Sequence, residues 1–78
     1  MDSFSILVAA RDEETRIADT VTALREAFPD AEVIVVDDGS RDGTARAAER
    51  AGATRLAAPV RWVMRAAAKV MTTTARYV

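Results

Sequence analysis

The sequence contains neither cysteine nor histidine, and aromatic residues make up only 5% of it. Without cysteine there is no disulfide framework and no thiolate metal site, and without histidine the commonest general base and zinc ligand is missing. No apolar run approaches the roughly 20 residues of a membrane span, and no basic stretch precedes a long apolar segment at the amino terminus. We therefore expect a cytoplasmic protein whose only membrane association, if any, is peripheral.

The two signs of charge are separated along the chain. All 12 acidic residues lie at or before Glu49, and the later charges are all cationic: Arg50, Arg55, Arg61, Arg65, Lys69 and Arg76. One interpretation is a basic segment whose charges are solvated or face the acidic half of the same fold. The other is a surface for a partner, a phosphate group or an anionic membrane. We expect no nucleic-acid partner.

Two apolar runs without polar alternation, residues 4–10 and 33–36, predict central strands of a parallel sheet. Between them an apolar stripe at helical spacing predicts a helix that lies on the sheet and that Pro29 ends. That stripe consists of Ile17, Val21, Leu24 and Phe28. Asp12 is a plausible N-cap for this helix. The short connections make a right-handed βαβ crossover the default.

The second half of the chain predicts further alternation of helix and strand. We expect a helix over 43–51 with Asp42 or Ser40 as its cap and Gly52 at its end, then a weaker strand over 53–57. Pro59 precedes a basic amphipathic helix, with fraying expected at the β-branched residues 72–74. Trp62, Met64 and Met71 are expected to pack on the open face of the sheet.

These elements predict an α/β fold, a three-stranded parallel Rossmann-like β-α-β-α-β-α unit. With 78 residues it buries only roughly 60% of the surface that the unfolded chain exposes, so we expect marginal stability. We also expect self-association through an unpaired sheet edge.

Asp37 and Asp38 follow the second predicted strand, at the edge where open α/β sheets bind ligands. A dinucleotide-binding unit is disfavoured, because the first turn reads AARDEE and lacks the glycines that approach a pyrophosphate. A phospho-receiver domain has its acidic pair after the first strand, so the order of elements here is wrong for one. There is no P-loop and no GxSxG nucleophile elbow.

Residues 6–44 resemble the amino-terminal part of family 2 glycosyltransferases, which are inverting nucleotide-sugar enzymes of the GT-A fold. VDDGSRDGT, residues 36–44, matches that family's Val-Asp-Asp-Gly-Ser-x-Asp-Gly-Thr pattern. The earlier Pro-x-(aromatic or Arg)-Asn-Glu pattern is matched less closely, because Ala9 stands where proline is usual and Asp12 where asparagine is usual. The resemblance covers about residues 4–57 and fades afterwards.

The resemblance implies a nucleotide-binding role for several residues. Asp38 would accept a hydrogen bond from the imino N–H of uracil or guanine, and Glu13 would bind ribose hydroxyls. Asp37 would bind locally or hold the turn. Three further residues would line the nucleoside pocket through backbone and packing: Ala9, Arg11 and Val36. For Asp42, helix capping alone is a sufficient explanation.

In the family a later Asp-x-Asp holds Mg²⁺ or Mn²⁺ on the donor diphosphate, and a later carboxylate deprotonates the acceptor; neither has a counterpart after Glu49. Whether the chain is an enzyme is therefore left open. We expect a single partial domain over 1–78, with a nucleotide-binding unit over 4–57 and a basic helix over 58–78. It resembles a truncated part of an enzyme that transfers a sugar from a UDP- or GDP-sugar, with metal needed only by the complete enzyme. The alternative is a small non-catalytic α/β domain that binds a protein partner or an anionic membrane surface through its basic helix.

Overall fold

The two apolar runs form adjacent parallel strands in the computed structural model, which describes residues 4–66 and 71–74. Strands and helices alternate along the chain in this order: β1 Ser5–Ala10, α1 Ile17–Ala27, β2 Glu32–Asp37, α2 Thr44–Arg50, β3 Thr54–Ala57, α3 Val60–Ala66 and β4 Met71–Thr74. All strand pairs are parallel, in the order β3-β2-β1-β4. The predicted β-α-β-α-β-α unit is confirmed, and a fourth strand extends it.

The core lies between the sheet and the helices α1 and α2. Side chains alternate between the two faces of a strand, so one set of β1 and β2 residues meets the apolar stripe of α1. The buried residues of this core are Ile6, Val8, Ala10, Ile17, Val21, Val33, Val35, Ala48 and Ala53. Leu7 and Ala9, on the opposite face of β1, are buried as well. β1 is therefore covered on both faces, which explains why its sequence shows no polar alternation.

The end of α2 follows the predicted pattern. Gly52 has a φ of +107° and lies just after the C-cap residue Ala51, where a left-handed residue is favoured. The Arg25 side chain of α1 donates a hydrogen bond of 3.0 Å to the Ala51 carbonyl oxygen. This bond satisfies a carbonyl at the helix end and joins α2 to α1.

The carboxyl-terminal part differs from the sequence expectation. We expected one basic helix over 58–78, frayed at 72–74, but the described part of α3 is Val60–Ala66, and residues 71–74 form β4, which pairs with β1 from Ile6 to Ala9. The β-branched side chains that disfavour a helix favour a strand once a partner strand is present. Residues 67–70 and 75–78 of the predicted helix lie outside the described residues.

The expected packing of Trp62 on the sheet is wrong. Its side chain is 65% exposed, while Val60 and Val63 of the same helix are half-buried. α3 therefore turns its valines inward and its tryptophan outward. The side chains of Met64 and Met71, for which the same packing was expected, lie outside the described residues.

We predict concentration-dependent self-association through β3. This strand is at the edge of the sheet, and all four of its residues are exposed, including Leu56 at 43%. An exposed strand edge presents unpaired N–H and C=O groups to other chains. Sedimentation velocity over a concentration series should show association, and Leu56→Lys should reduce it; a monomer at every concentration would contradict the prediction.

Candidate functional site

The carboxyl ends of the parallel strands share one edge of the sheet. From β1 the chain steps to β2 and β3, and then returns past both to place β4 on the other side of β1. In such doubly wound sheets, ligands bind outside the carboxyl ends where the strand order reverses. The reversal lies between β1 and β4. The loop after β1, residues 11–16, borders it, and this loop contacts the loop after β2, residues 38–43.

Four hydrogen bonds join these two loops, and we call this set the loop junction. Asp12 N–H donates to the Ser40 hydroxyl (2.9 Å) and Arg41 N–H donates to Asp12 Oδ1 (2.8 Å). Glu13 N–H donates to the Thr44 hydroxyl (2.8 Å), and Glu14 N–H donates to Asp42 Oδ2 (3.3 Å). Each bond spans about 30 residues of sequence, so the loop junction fixes the loops relative to each other.

Asp12 has an unusual backbone conformation. Its φ of +53° lies in the left-handed region, which aspartate and asparagine enter more easily than other non-glycine residues. We expected Asp12 to cap α1, but that helix begins at Ile17, with Arg16 at the N-cap position and no side-chain cap bond. The capping expectation for Asp12 is wrong, and its carboxylate serves the loop junction instead.

We expected Asp42 or Ser40 to cap α2, but Gly43 occupies the N-cap position and makes no side-chain cap bond, so Asp42 lies one residue before the cap. Asp42 Oδ1 accepts the N–H of Thr44, the first helical residue, at 3.0 Å, and also accepts the Thr44 hydroxyl. Ser40, the alternative cap, binds Asp12 instead. Thr44 is fully buried, and its hydroxyl donates to Asp42 while accepting from Glu13. One buried hydroxyl thus joins the start of α2 to the first loop.

The stability of the fold should depend on the charge of Asp42. The Thr44 hydroxyl, with the backbone N–H groups of Thr44 and Glu14, holds the pKa of Asp42 below its ordinary value of 3.8. Because the pKa of Asp42 is lower in the folded state, its charge stabilises the fold at pH values above the ordinary pKa. This contribution is lost as the pH falls through the lowered pKa of the folded state.

We therefore predict that Asp42→Asn has a lower urea midpoint than the wild type at about pH 6, and that the difference shrinks below about pH 4. The measurement is urea unfolding across this pH range, followed by circular dichroism. A difference that stays constant down to the lowest pH would contradict the assignment.

The acidic pair divides into two roles. Asp37 Oδ1 accepts the Ser40 N–H at 2.9 Å across Gly39, whose φ is +80°, so Asp37 holds the turn. Asp38 N–H donates to the Ala10 carbonyl oxygen (3.0 Å), which ties the end of β2 to the end of β1. Asp38 Oδ1 accepts the N–H of Val60, the first residue of α3, at 3.3 Å. The Asp38 carboxylate therefore lies between the end of the sheet and α3.

A surface pocket of about 420 Å³ lies at this position, lined by Asp38, Pro59, Val60 and Arg61. A second pocket, of about 330 Å³, runs along α2 between Glu14, Asp42 and Arg55. The second pocket lies against a helix face, whereas the first contains the carboxylate that follows β2. Ligand sites in this fold class occur at strand ends, so we take the pocket at Asp38 as the candidate site.

The other predicted site residues lie on the two strands and on the first loop. Ala9 pairs with Val36 across the sheet, and both residues are buried, Val36 fully, so Val36 presents no surface to a ligand. Glu13 is 9% exposed and its backbone belongs to the loop junction. Arg11 is exposed directly after β1. Their roles toward a nucleotide stay predictions.

The donor set does not fit a metal ion. Within residues 4–66 and 71–74, no group of three or more His, Cys, Asp or Glu side chains could hold one. The sequence also has no carboxylate after Glu49. The Mg²⁺ or Mn²⁺ expected for a complete enzyme therefore has no ligand set among these residues, and no chemical step is assigned to it. In the same part of the chain, no helix has the length and apolar character to cross a membrane.

Sequence reasoning missed the loop junction. Its residues belong to two turns that are far apart in sequence, and each turn was interpreted separately as helix capping. Asp12 could have indicated the loop junction, because aspartate is one of the few residue types that tolerate a positive φ. Thr44, which follows Gly43 at the start of α2, was a second indication, because its hydroxyl can join the helix to another loop.

Fold and site together define a doubly wound parallel α/β domain with an acidic turn at its carboxyl edge. The family profile described as Glycosyl transferase family 2 matches residues 5–69. This match covers most of the 78-residue chain, and the chain belongs to glycosyl transferase family 2. No curated protein matches the chain. The alternation of parallel strands and helices is consistent with the start of a GT-A Rossmann-like fold.

Proposed function

We propose that this chain binds the nucleoside diphosphate part of a UDP- or GDP-sugar at the carboxyl edge of its sheet. In this proposal it is the donor-binding part of an inverting glycosyltransferase that acts on an acceptor hydroxyl. The observation that carries the proposal is the Asp38 carboxylate, which follows β2 and borders the pocket of about 420 Å³. Family membership supports a nucleotide-sugar donor in general.

Asp38 has the chemistry to recognise a base. An ionised carboxylate accepts hydrogen bonds through two oxygens with about four lone-pair positions, and the Val60 N–H uses one of them. The imino N–H of uracil or guanine is a donor that can bind one of the remaining lone-pair positions of Asp38. A charged acceptor makes a shorter and stronger bond than a neutral one.

The loop junction supports the proposal by fixing the loop after β1 against the acidic turn. It holds the loop after β1 against the loop after β2, so Arg11 and Glu13 keep a constant position relative to the acidic turn. In the proposal, Glu13 accepts hydrogen bonds from the ribose hydroxyls. Arg11, exposed after β1, lines the nucleoside pocket in this proposal.

The proposal assigns binding of the donor, and not sugar transfer, to these residues. Leaving-group stabilisation by a metal and deprotonation of an acceptor both require carboxylates or equivalent groups. Every carboxylate side chain lies at or before Glu49, and those of Asp12, Asp37 and Asp42 accept hydrogen bonds that hold the loops. Binding of UDP or GDP should therefore be nearly independent of Mn²⁺.

The test is calorimetric titration with UDP and GDP, with and without Mn²⁺. We expect Asp38→Ala to weaken binding at least about tenfold, since a hydrogen bond to a charged group contributes about 1.5–3 kcal/mol. Asp30→Ala, at an exposed carboxylate in the turn before β2, is the matched control and should bind as the wild type does.

Two outcomes would contradict the proposal. One is no binding of either nucleotide by the folded wild type, and the other is equal weakening by both alanine variants. Because Asp38→Ala also removes the acceptor for Val60 N–H, Asp38→Asn is included. It retains an oxygen acceptor for Val60 and should bind the nucleotide with intermediate affinity.

A further inference from the structure

The outward side of α3 combines a tryptophan with two arginines. Trp62 is 65% exposed, and Arg61 and Arg65 are exposed as well. Residues three and four positions apart along a helix are neighbours, so Arg65 lies beside both Trp62 and Arg61, and these three side chains form one surface, which we call the α3 face. Tryptophan is highly buried on average in folded proteins, so an exposed one between two cations needs an explanation.

The orientation of α3 is set by its other side. Val60 and Val63 are half-buried, and the Val60 N–H is held by Asp38 Oδ1 at 3.3 Å. Turning Trp62 inward would expose these valines and break the bond to Asp38. The α3 face is therefore the side that the fold leaves to solvent.

The charge of this region identifies the chemistry of a partner. Every ionisable side chain after Glu49 except that of Tyr77 is an arginine or a lysine. The α3 face itself therefore has no carboxylate, although that of Asp38 borders the same pocket as Arg61. Arginine with tryptophan suits the boundary between lipid headgroups and acyl chains, where an amphipathic ring and a cation are both favoured.

We propose that the α3 face docks this chain on an anionic membrane surface. Trp62 lies at headgroup level, and Arg61 and Arg65 bind lipid phosphates. The attraction is both apolar and electrostatic, so it requires anionic lipid and weakens with salt. Arg61 also lines the pocket at Asp38, so the two sites share one residue. The vesicle test is made without nucleotide, and its outcome does not depend on nucleotide binding.

Trp62 is also the probe for the test, because the sequence contains one tryptophan. The full chain, without nucleotide, is titrated with vesicles of phosphatidylcholine alone and with vesicles that also contain phosphatidylserine. We expect a blue shift of the emission and protection from acrylamide quenching with the anionic vesicles only. Added salt should reverse both effects.

The decisive comparison is between two double variants that change the net charge equally but at different helices. Arg61→Glu with Arg65→Glu should weaken vesicle binding at least about tenfold. Arg46→Glu with Arg50→Glu changes the net charge equally on the exposed side of α2 and should retain most of the binding. Circular dichroism and vesicle flotation confirm folding and binding independently of the fluorescence.

Several results would overturn the inference. One is equal binding to neutral and anionic vesicles, and another is equal loss of binding in the two charge-reversed variants. A third is a blue shift that depends on protein concentration in the absence of lipid, since it would assign Trp62 to contact between copies of the chain.

Discussion

Replacing Thr44 with valine should lower the free energy of unfolding by about 1–3 kcal/mol, the cost of leaving a buried polar group without its partner. Valine has the same shape as threonine, so the packing is retained and the hydroxyl alone is lost. The Glu13 N–H then has no acceptor in a buried position, and Asp42 loses a donor. In a domain with a total stability of about 5 kcal/mol, this is a large fraction.

Thr54→Val is the matched control for this prediction. The Thr54 hydroxyl donates to Glu32 Oε2 at 3.1 Å, but both groups are exposed, and water can replace the lost partner. We expect a change within about 0.5 kcal/mol. Urea unfolding followed by circular dichroism measures both variants, and equal effects at the two positions would show that the loop junction contributes no particular stability.

Replacing Asp12 with valine should destabilise the fold by about 2–3 kcal/mol. A β-branched residue is strongly disfavoured at the observed φ of +53°. The substitution also removes the acceptor for the Arg41 N–H. The loop after β1 should then separate from the acidic turn, and affinity for UDP or GDP should fall together with stability.

Asp12→Asn separates strain from charge. Asparagine tolerates positive φ and retains an oxygen that can accept the Arg41 N–H. We expect a stability within about 0.5 kcal/mol of the wild type. Asparagine is also the residue that the family usually has at this position. If Asp12→Asn were as unstable as Asp12→Val in thermal and urea unfolding, the backbone explanation would be wrong.

The strands β1 and β2 and the helix between them could be predicted because their signals are local and strong. The unbroken apolar run of β2 and the spacing from Ile17 to Phe28 each specify one element without knowledge of the rest. Gly52 and Pro59 mark the ends of elements through their own backbone preferences. The position of Asp37 and Asp38 at the carboxyl edge follows from the strand that precedes them.

The elements that the sequence did not reveal depend on contacts between distant residues. Residues 72–74 were interpreted as poor helix formers, but a strand over residues 71–74 requires β1 as a partner about 65 residues earlier. Trp62 was placed in the core because apolar residues at helical spacing usually face it. The packing of Val60 and Val63 decides otherwise.

The candidate site was also predicted only in part from the sequence. The sequence indicated which acidic residues lie at the edge, but it did not indicate which of them the fold uses for itself. Asp12, Asp37 and Asp42 all accept hydrogen bonds that hold the loops. Asp38 bonds to α3 and borders the pocket, and it is the residue on which the proposed recognition of a base depends.

The most direct test of this account is to map the nucleotide on the chain itself by titrating ¹⁵N-labelled protein with UDP and following the backbone amide resonances. We expect shifts at residues 37–40, Val60 and Arg61, around the pocket at Asp38, and at residues 10–13, which the proposal assigns to the nucleotide. Shifts confined to residues 45–50 and Arg55, which border the pocket along α2, would contradict it, as would a spectrum that UDP leaves unchanged.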